Sequence, residues 1–298
     1  MILFKNIKNT NVTEQDFSNV LEKFNLKGRT VMVYSRLLAF GRLQGEKAVY
    51  RIIDILQDSV GKNGCLIIPC HTFSGYNNEV FDISESKCKV GILGELARML
   101  PQFTRTTHPI YSHVVYGASN KIENFQDETT CFGHNSFYDY YNKSRNPYIL
   151  MLGTNLNALT NFHYYEQKYS AKSRFLKKFK AKIKKDNIIE TEFESCVRDY
   201  EIYEGKVECF AKFDELLTEM KILECFEYGD DYILGVKENE LEIAYYNCLK
   251  DDPENFLFSS KEVYEEYYQM NKSRVFHDAM HSEILKDKII SNLRVFYE

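Results

Sequence analysis

Three short apolar runs constrain this fold more than any other feature of the chain: Thr30-Val31-Met32-Val33-Tyr34, Cys65-Leu66-Ile67-Ile68-Pro69 and Tyr148-Ile149-Leu150-Met151-Leu152. At this length they read as strands. The third, bounded by Pro147 and Gly153, reads as a buried one. Helical patterns separate them. Thr13 is an N-cap with Asp16 at N3, and Phe17, Val20, Leu21 and Phe24 form an apolar stripe behind it. A second helix is expected over Gly45–Ser59, and a third over Gly91–Leu100, stopped by Pro101. Alternation of strand, loop and helix predicts an α/β layered domain. Polar segments follow the strands: Ser35-Arg36-Leu37, Cys70-His71-Thr72-Phe73-Ser74-Gly75 and Gly153-Thr154-Asn155. The carboxyl ends of strands are where open α/β sheets bind ligands.

With 298 residues, 44% of them hydrophobic, the chain has material for one large or two modest cores. No apolar run approaches the length of a membrane span, and the opening MILFKNIKNT lacks the pattern of a signal peptide. None of the eight cysteines forms a CxxC pair, which fits reduced thiols in a cytoplasmic protein. A net charge of −5 argues against nucleic acid as a partner.

The chemistry-bearing residues cluster after the third apolar run. Thr160 or Asn161 can cap a helix carrying His163 and Glu166, which at i and i+3 share one face. A carboxylate beside an imidazole fixes its tautomer and raises its basicity, as a general base requires. The plainer reading is a surface ion pair. Arg105-Thr106-Thr107-His108-Pro109-Ile110-Tyr111-Ser112-His113 packs polar groups just ahead of a strand at Val114-Val115-Tyr116, and Cys131–Ser136 is a further loop. The lysine-rich stretch 172–185 reads as a solvated strand edge or, less simply, as an attraction for nucleotide phosphates. Antiparallel strands are expected within 190–213, helices over 213–224 and 240–249, and a strand at Tyr232–Val236. Residues 259–298 read as helical, with His277 and His281 as surface residues.

Taken in order, these segments resemble the aminoglycoside 3-N-acetyltransferase family, the antibiotic N-acetyltransferases, which are distinct from the GNAT fold. Val31–Leu37 is similar to the family strand ending in His-Ser-Ser-Leu, with Tyr34 for the His and Arg36 for the second Ser. Pro69–Ser74 resembles its Pro-Thr-Phe-Ser. Phe81-Asp82 and Val90-Gly91-Ile92-Leu93 resemble its Phe-Asp and Met-Gly-x-Leu, and Ser86-Lys87-Cys88 stands for Thr-Pro-Ser. Arg105–Ser112 resembles Arg-Ser-x-His-Pro-x-x-Ser, and Phe132-Gly133 with Ser136 resembles Phe-Gly-x-x-Ser. Leu152-Gly153 followed by Thr160–Glu166 resembles Leu-Gly…Thr-x-x-His-x-x-Glu.

The resemblance implies a three-layer α/β domain over residues 1–258 around a mixed central sheet, with 259–298 packed on it as a helical extension. It implies an acyl-CoA-dependent N-acyltransferase that moves an acetyl or short acyl group from acetyl-CoA to the amine of an amino sugar, nucleotide-linked or a glycan precursor. The alternative is resistance to aminoglycoside antibiotics. His163 is then the base, Glu166 its orienting partner or an ammonium site, and His108 a second residue at the site. Ser35, Thr72 and Ser112 become candidates for the pantetheine or thioester, and Arg36, Arg105 and Thr107 for CoA phosphates or loop anchoring. Cys88 is a conceivable acyl carrier, though direct transfer is favoured, and Asn157 stands where some members carry an acid. Expected partners are the amine and acyl-CoA, with no metal, nucleic acid or membrane, and a homodimer is left open. A competing class, a metal-dependent hydrolase, would gather His71, His108, His113 and His163, although no HxH or HExxH spacing supports it.

Overall fold

Alternate residues of each apolar run face opposite ways, and this makes a three-layered molecule. In the computed structural model, residues 1–117, 129–199, 206–208, 210, 213–251 and 256–259 are described. The chain opens with β1 (Ile2–Lys5), β2 (Asn11–Thr13), α1 (Glu14–Glu22), β3 (Thr30–Ser35), β4 (Arg42–Leu43), α2 (Glu46–Val60) and β5 (Cys65–Pro69). Then come β6 (Val80–Asp82), α3 (Ile92–Ala97), β7 (Thr104–Arg105), β8 (His113–Gly117), α4 (Phe137–Asn142), β9 (Pro147–Leu152) and α5 (Asn161–Lys168). A hairpin of β10 (Arg174–Lys184) and β11 (Ile188–Arg198) precedes β12 (Lys206–Glu208), α6 (Phe213–Glu219), β13 (Glu224–Tyr228), β14 (Asp231–Lys237), α7 (Glu238–Asp251) and β15 (Leu257–Ser259).

Seven strands form the central sheet in the order β13-β14-β9-β3-β5-β8-β7. Strand β3 runs parallel to β9 and β5, and the outer pairs are antiparallel. The chain leaves β3 for β5 on one side and later returns to β9 on the other. Strand order therefore reverses at β3, and a crevice is expected beyond the carboxyl ends at Ser35, Pro69 and Leu152.

Val31, Val33, Leu66, Ile68, Leu150 and Leu152 pack on Phe17 and Leu21 of α1, Val49 and Ile52 of α2 and Leu93 of α3. Met32, Ile67, Ile149 and Met151 face the other way, onto Phe137 and Tyr141 of α4, Phe162 and Tyr165 of α5 and Leu241 and Tyr245 of α7. Burying each aliphatic side chain is worth about 1.5–3 kcal/mol, so a one-residue register slip would forfeit both cores at once.

Local signals behave as the sequence predicts in several places. Thr13 and Asp16 form a reciprocal capping box at α1. Helix α3 is shorter than expected, because Met99 and Leu100 turn back three residues to Leu96 and Ala97 instead of four. Ser136, at the end of the expected loop, caps α4 by accepting from Asp139 N at 3.2 Å. The lysine-rich stretch, expected as a solvated strand edge, is the middle strand of a three-stranded sheet, paired along its length with β11 and with β6 at Lys182, Ile183 and Lys184. Lys178, Lys180 and Lys182 stand opposite Glu194, Glu192 and Glu190, and Lys184 reaches Asp82 at 2.8 Å. Residues 260–298, and with them His277, His281 and the expected extension, lie outside the described residues.

The turn after α1 brings Phe24 onto the sheet over Gly235 of β14. A Cβ there would lie 2.2 Å from Tyr148 Oη and 2.6 Å from the Phe24 ring, and both residues are fully buried. Gly235→Ala is expected to destabilise the protein by about 1–3 kcal/mol through overpacking. Urea denaturation reads this directly, and an unchanged midpoint would contradict the packing described.

Candidate active site

Strand β9 ends at Leu152, and Gly153 turns the chain with φ +64°. A Cβ at that position would lie 2.7 Å from the Ala39 Cβ. After this turn α5 begins, with Thr160 at the N-cap position but making no side-chain cap. The helix buries Phe162, Tyr165 and Glu166 and leaves His163 partly exposed. His163 Nδ1 lies 2.7 Å from Glu166 Oε2. The guanidinium of Arg174, first residue of β10, lies 3.1 Å from the same carboxylate oxygen and 3.0 Å from Nδ1. A carboxylate has no proton to give, so pairing with Glu166 assigns the proton to Nδ1 and the basic lone pair to Nε2, and Arg174 then donates to Glu166 and makes only a close contact with Nδ1. The imidazole side chain is 28% exposed and the carboxylate 2%, so substrate can meet the ring while the charge that orients it stays out of water. The pair is thus neither a plain surface ion pair nor fully buried: Glu166 and Arg174 are buried and His163 is partly exposed. Arg174 escaped sequence reading because no helical or strand period connects it to His163. The one available signal is that it is the lone arginine in a run of lysines.

The other histidines serve the walls. His108 Nδ1 accepts from Ile110 N at 3.2 Å and Tyr111 N at 3.1 Å, which closes the turn at Pro109. His113 is a strand residue, not a loop residue, and stacks on Phe137 with ring centroids 4.1 Å apart. His71 packs edge-on against it at 5.2 Å and meets the Tyr138 hydroxyl at 3.4 Å. Burial, with His108 and His163 close enough to add repulsion, pulls His71 down to about 3, and burial likewise pulls His113 well below the usual imidazole range. Both rings are neutral at physiological pH. The four histidines do converge, but among the described residues no group of three His, Cys, Asp or Glu side chains is placed to hold a metal ion.

The residues considered for acyl-CoA divide sharply. Arg105 is buried and donates to the carbonyls of Ile83 at 3.0 Å, Ser86 at 2.6 Å and Cys70 at 3.1 Å, so of the two roles weighed it fills loop anchoring. Ser112 Oγ donates to Cys70 O at 2.6 Å and Thr72 Oγ1 to Pro109 O at 3.1 Å. Thr107 is buried. Ser35 and Arg36 remain at the crevice. Ser35 ends β3 opposite Leu152, and half-exposed Arg36 bridges Gly153 O at 3.1 Å and Asp231 at 3.6 Å. Asn157 accepts from Phe210 N at 2.7 Å.

A polar chain under α5 was invisible in the sequence. Tyr34, in the place of the family's His, donates to Asn161 Oδ1 at 2.7 Å, and Asn161 Nδ2 donates to the buried Glu238 at 3.1 Å. Asn142 Nδ2 lies 3.4 Å from Glu238 and 2.9 Å from Glu242, which also takes Tyr169 Oη at 2.7 Å. These side chains come from β3, α4, α5 and α7, so only tertiary structure brings them together. One turn past His163 on the same face of α5, Gln167 borders an open pocket of about 440 Å³ with Gly133, His134, Lys178, Glu192 and Glu194 among its walls.

Comparison with known proteins gives the site its context. The family model described as aminoglycoside 3-N-acetyltransferase matches residues 32–241. The SPbeta prophage-derived aminoglycoside N(3')-acetyltransferase-like protein YokD of Bacillus subtilis (strain 168) is 27% identical over 179 residues. That match takes in 51% of this chain and 63% of YokD's length. Among solved structures, AAC-IIIb with CoASH superposes with TM-score 0.65 at 20% identity, over 80% of this chain and 96% of that one. Sisomicin-bound AAC-VIa gives 0.69 at 15% identity, over 80% and 97%. The chain belongs to the aminoglycoside 3-N-acetyltransferase family, and the layered α/β architecture around a mixed sheet is the fold of these structures.

Burial pushes the Glu238 carboxyl up to about 7, Glu242 adds repulsion, and the nearby Tyr165 hydroxyl with the hydrogen bonds from Asn161 and Asn142 opposes the rise. The folded state therefore holds this proton more tightly than the unfolded chain, whose carboxyl keeps its ordinary value of 4.5. That contribution to stability is fully present below the unfolded value and is lost as pH rises through the folded one. The unfolding free energy of Glu238→Gln relative to wild type is expected to increase between about pH 5 and pH 8. A difference that stays constant with pH would contradict this.

Proposed function

We propose that this member of the aminoglycoside 3-N-acetyltransferase family transfers an acetyl group from acetyl-CoA to an amine of a cationic amino sugar. The observation that carries the reading is the His163–Glu166–Arg174 triad at the crevice beyond the carboxyl ends of the parallel strands. An amine attacking a thioester must lose a proton as its nitrogen bonds to the carbonyl carbon. His163 Nε2 accepts that proton, directly or through one water, and Glu166 stabilises the imidazolium as it forms. Arg174 balances the carboxylate, which would otherwise be a buried, unpaired charge. Collapse of the tetrahedral adduct then expels the CoA thiolate, which leaves with a proton. No covalent acyl-enzyme is needed, and Cys88 stays outside the reaction.

The pocket that Gln167 borders supports a choice of acceptor. Glu192 and Glu194 against Lys178 favour an ammonium-rich sugar over one bearing nucleotide phosphates. Coulombic attraction at such a half-open site acts on both association and affinity. The aminoglycoside class fits this better than a nucleotide-linked sugar, and the AAC-VIa structure with sisomicin is a relative's precedent for such an acceptor.

A thiol-release assay over aminoglycosides and nucleotide-linked amino sugars tests the reading. Turnover is expected with the cationic sugars in wild type and in Cys88→Ser. His163→Ala should lower kcat by about 10²–10⁴-fold, the range for loss of a general base, while acetyl-CoA still raises its Tm. Failure of acetyl-CoA to bind wild type would overturn the proposal, and turnover confined to nucleotide-linked sugars would overturn the assignment of acceptor.

A further inference from the structure

Two thiols that acyl transfer does not use lie side by side at the carboxyl end of β5. Cys70 directly follows the strand and is fully buried, whereas Cys88, in the loop between β6 and α3, is half-buried. Backbone geometry holds them together. Lys89 N donates to His71 O at 2.8 Å, which bridges the residue after each cysteine. Cys88 Sγ lies 3.8 Å from Pro69 O, the residue before Cys70. Gly94 makes room for this sulfur, since a Cβ there would stand 3.0 Å from Sγ. Both residues are fixed from outside the pair as well. Cys88 N donates to Glu95 at 2.7 Å, and Cys70 O accepts from Ser112 at 2.6 Å and Arg105 at 3.1 Å.

We propose that Cys70 and Cys88 are a redox-responsive dithiol that closes to a disulfide when a low-molecular-weight disulfide reaches Cys88. The two sulfurs are chemically unequal. The neighbouring Cys70 thiol, Val90 N–H and the Arg105 charge favour thiolate at Cys88 against burial and Glu95, while proximity to Cys88 and burial hold Cys70 as the protonated partner. Attack by the Cys88 thiolate on one sulfur of the small disulfide expels a thiolate and leaves a mixed disulfide. Cys70 then attacks the Cys88 sulfur, its proton passing to the second thiolate as that group leaves. The small disulfide is reduced to two thiols, and the protein gains one S–S bond with loss of two hydrogens. Such a bridge would clamp the segment from Asp82 to Val90 onto β5, at the loop that Arg105 and Arg98 already hold through the carbonyls of Ser86 and Ser84.

Oxidised glutathione is the probe, and intact mass with non-reducing peptide mapping the readout. Wild type is expected to lose two hydrogens, with the bond mapping to Cys70 and Cys88 and opening in dithiothreitol. Cys70→Ala should stop at one glutathione adduct on Cys88, and Cys88→Ser should form neither species. The proposal is overturned if wild type keeps both thiols, if the bond maps to other cysteines, or if Cys88 carries a stable glutathione adduct in wild type. The wild-type map needs no variant to fold, and none of these outcomes depends on acyl transfer.

Discussion

A carboxylate that is 2% exposed needs a cation beside it, and Glu166 has two candidates from opposite sides. His163 comes from its own helix and Arg174 from the first residue of a hairpin that is otherwise remote from the sheet's parallel strands. Removing one partner of such a pair leaves a buried charge uncompensated, at a cost of about 3–5 kcal/mol. The interaction thus orients the imidazole and also fastens β10 against α5. The hairpin's Phe179 and Phe193, stacked at 5.4 Å, then close over His108 and the aromatic wall.

The same helix rests on a second buried carboxylate that is managed differently. Among the described residues, the hydrogen-bond partners of Glu238 are the amides of Asn161 and Asn142. It accepts from amides and sits beside Tyr165, and its proton is retained into the neutral range. Two acids within one helical neighbourhood therefore meet opposite environments. Glu166 is paired with Arg174 and His163 at the end of β10, and Glu238 is held near its titration point under the helix floor. The contrast follows from the company each keeps, charged in one case and dipolar in the other.

What could be read in advance follows the range of the interactions. Strands β3, β5 and β9, helices α1 and α2 and the His163–Glu166 pair are written in runs and spacings of a few residues, so their residues announce them. Arg174, Glu238, Tyr34 and Asn161 act across the layers, and no local period connects them. Arg105, Thr72 and Ser112 illustrate a different difficulty. Their residue types suit phosphate or thioester, but their donors are directed at carbonyls of the loops that frame the crevice. Helix α4 was missed because its six residues carry four aromatic side chains and little helical signature beyond the Ser136 cap.

The hairpin's alternation of lysine and glutamate has a consequence for the molecule in company. Strand β10 pairs with β11 along its whole length, and among the described residues its other edge meets β6 only at Lys182, Ile183 and Lys184. Among the described residues no strand pairs with that edge over 175–181, where a strand from another molecule could be recruited. Lys178 and Lys180 flank that edge, and a second β10 brought alongside would set like charges against each other. The arrangement defends against sheet-to-sheet polymerisation, and it does so by electrostatic repulsion that concentrated salt would weaken.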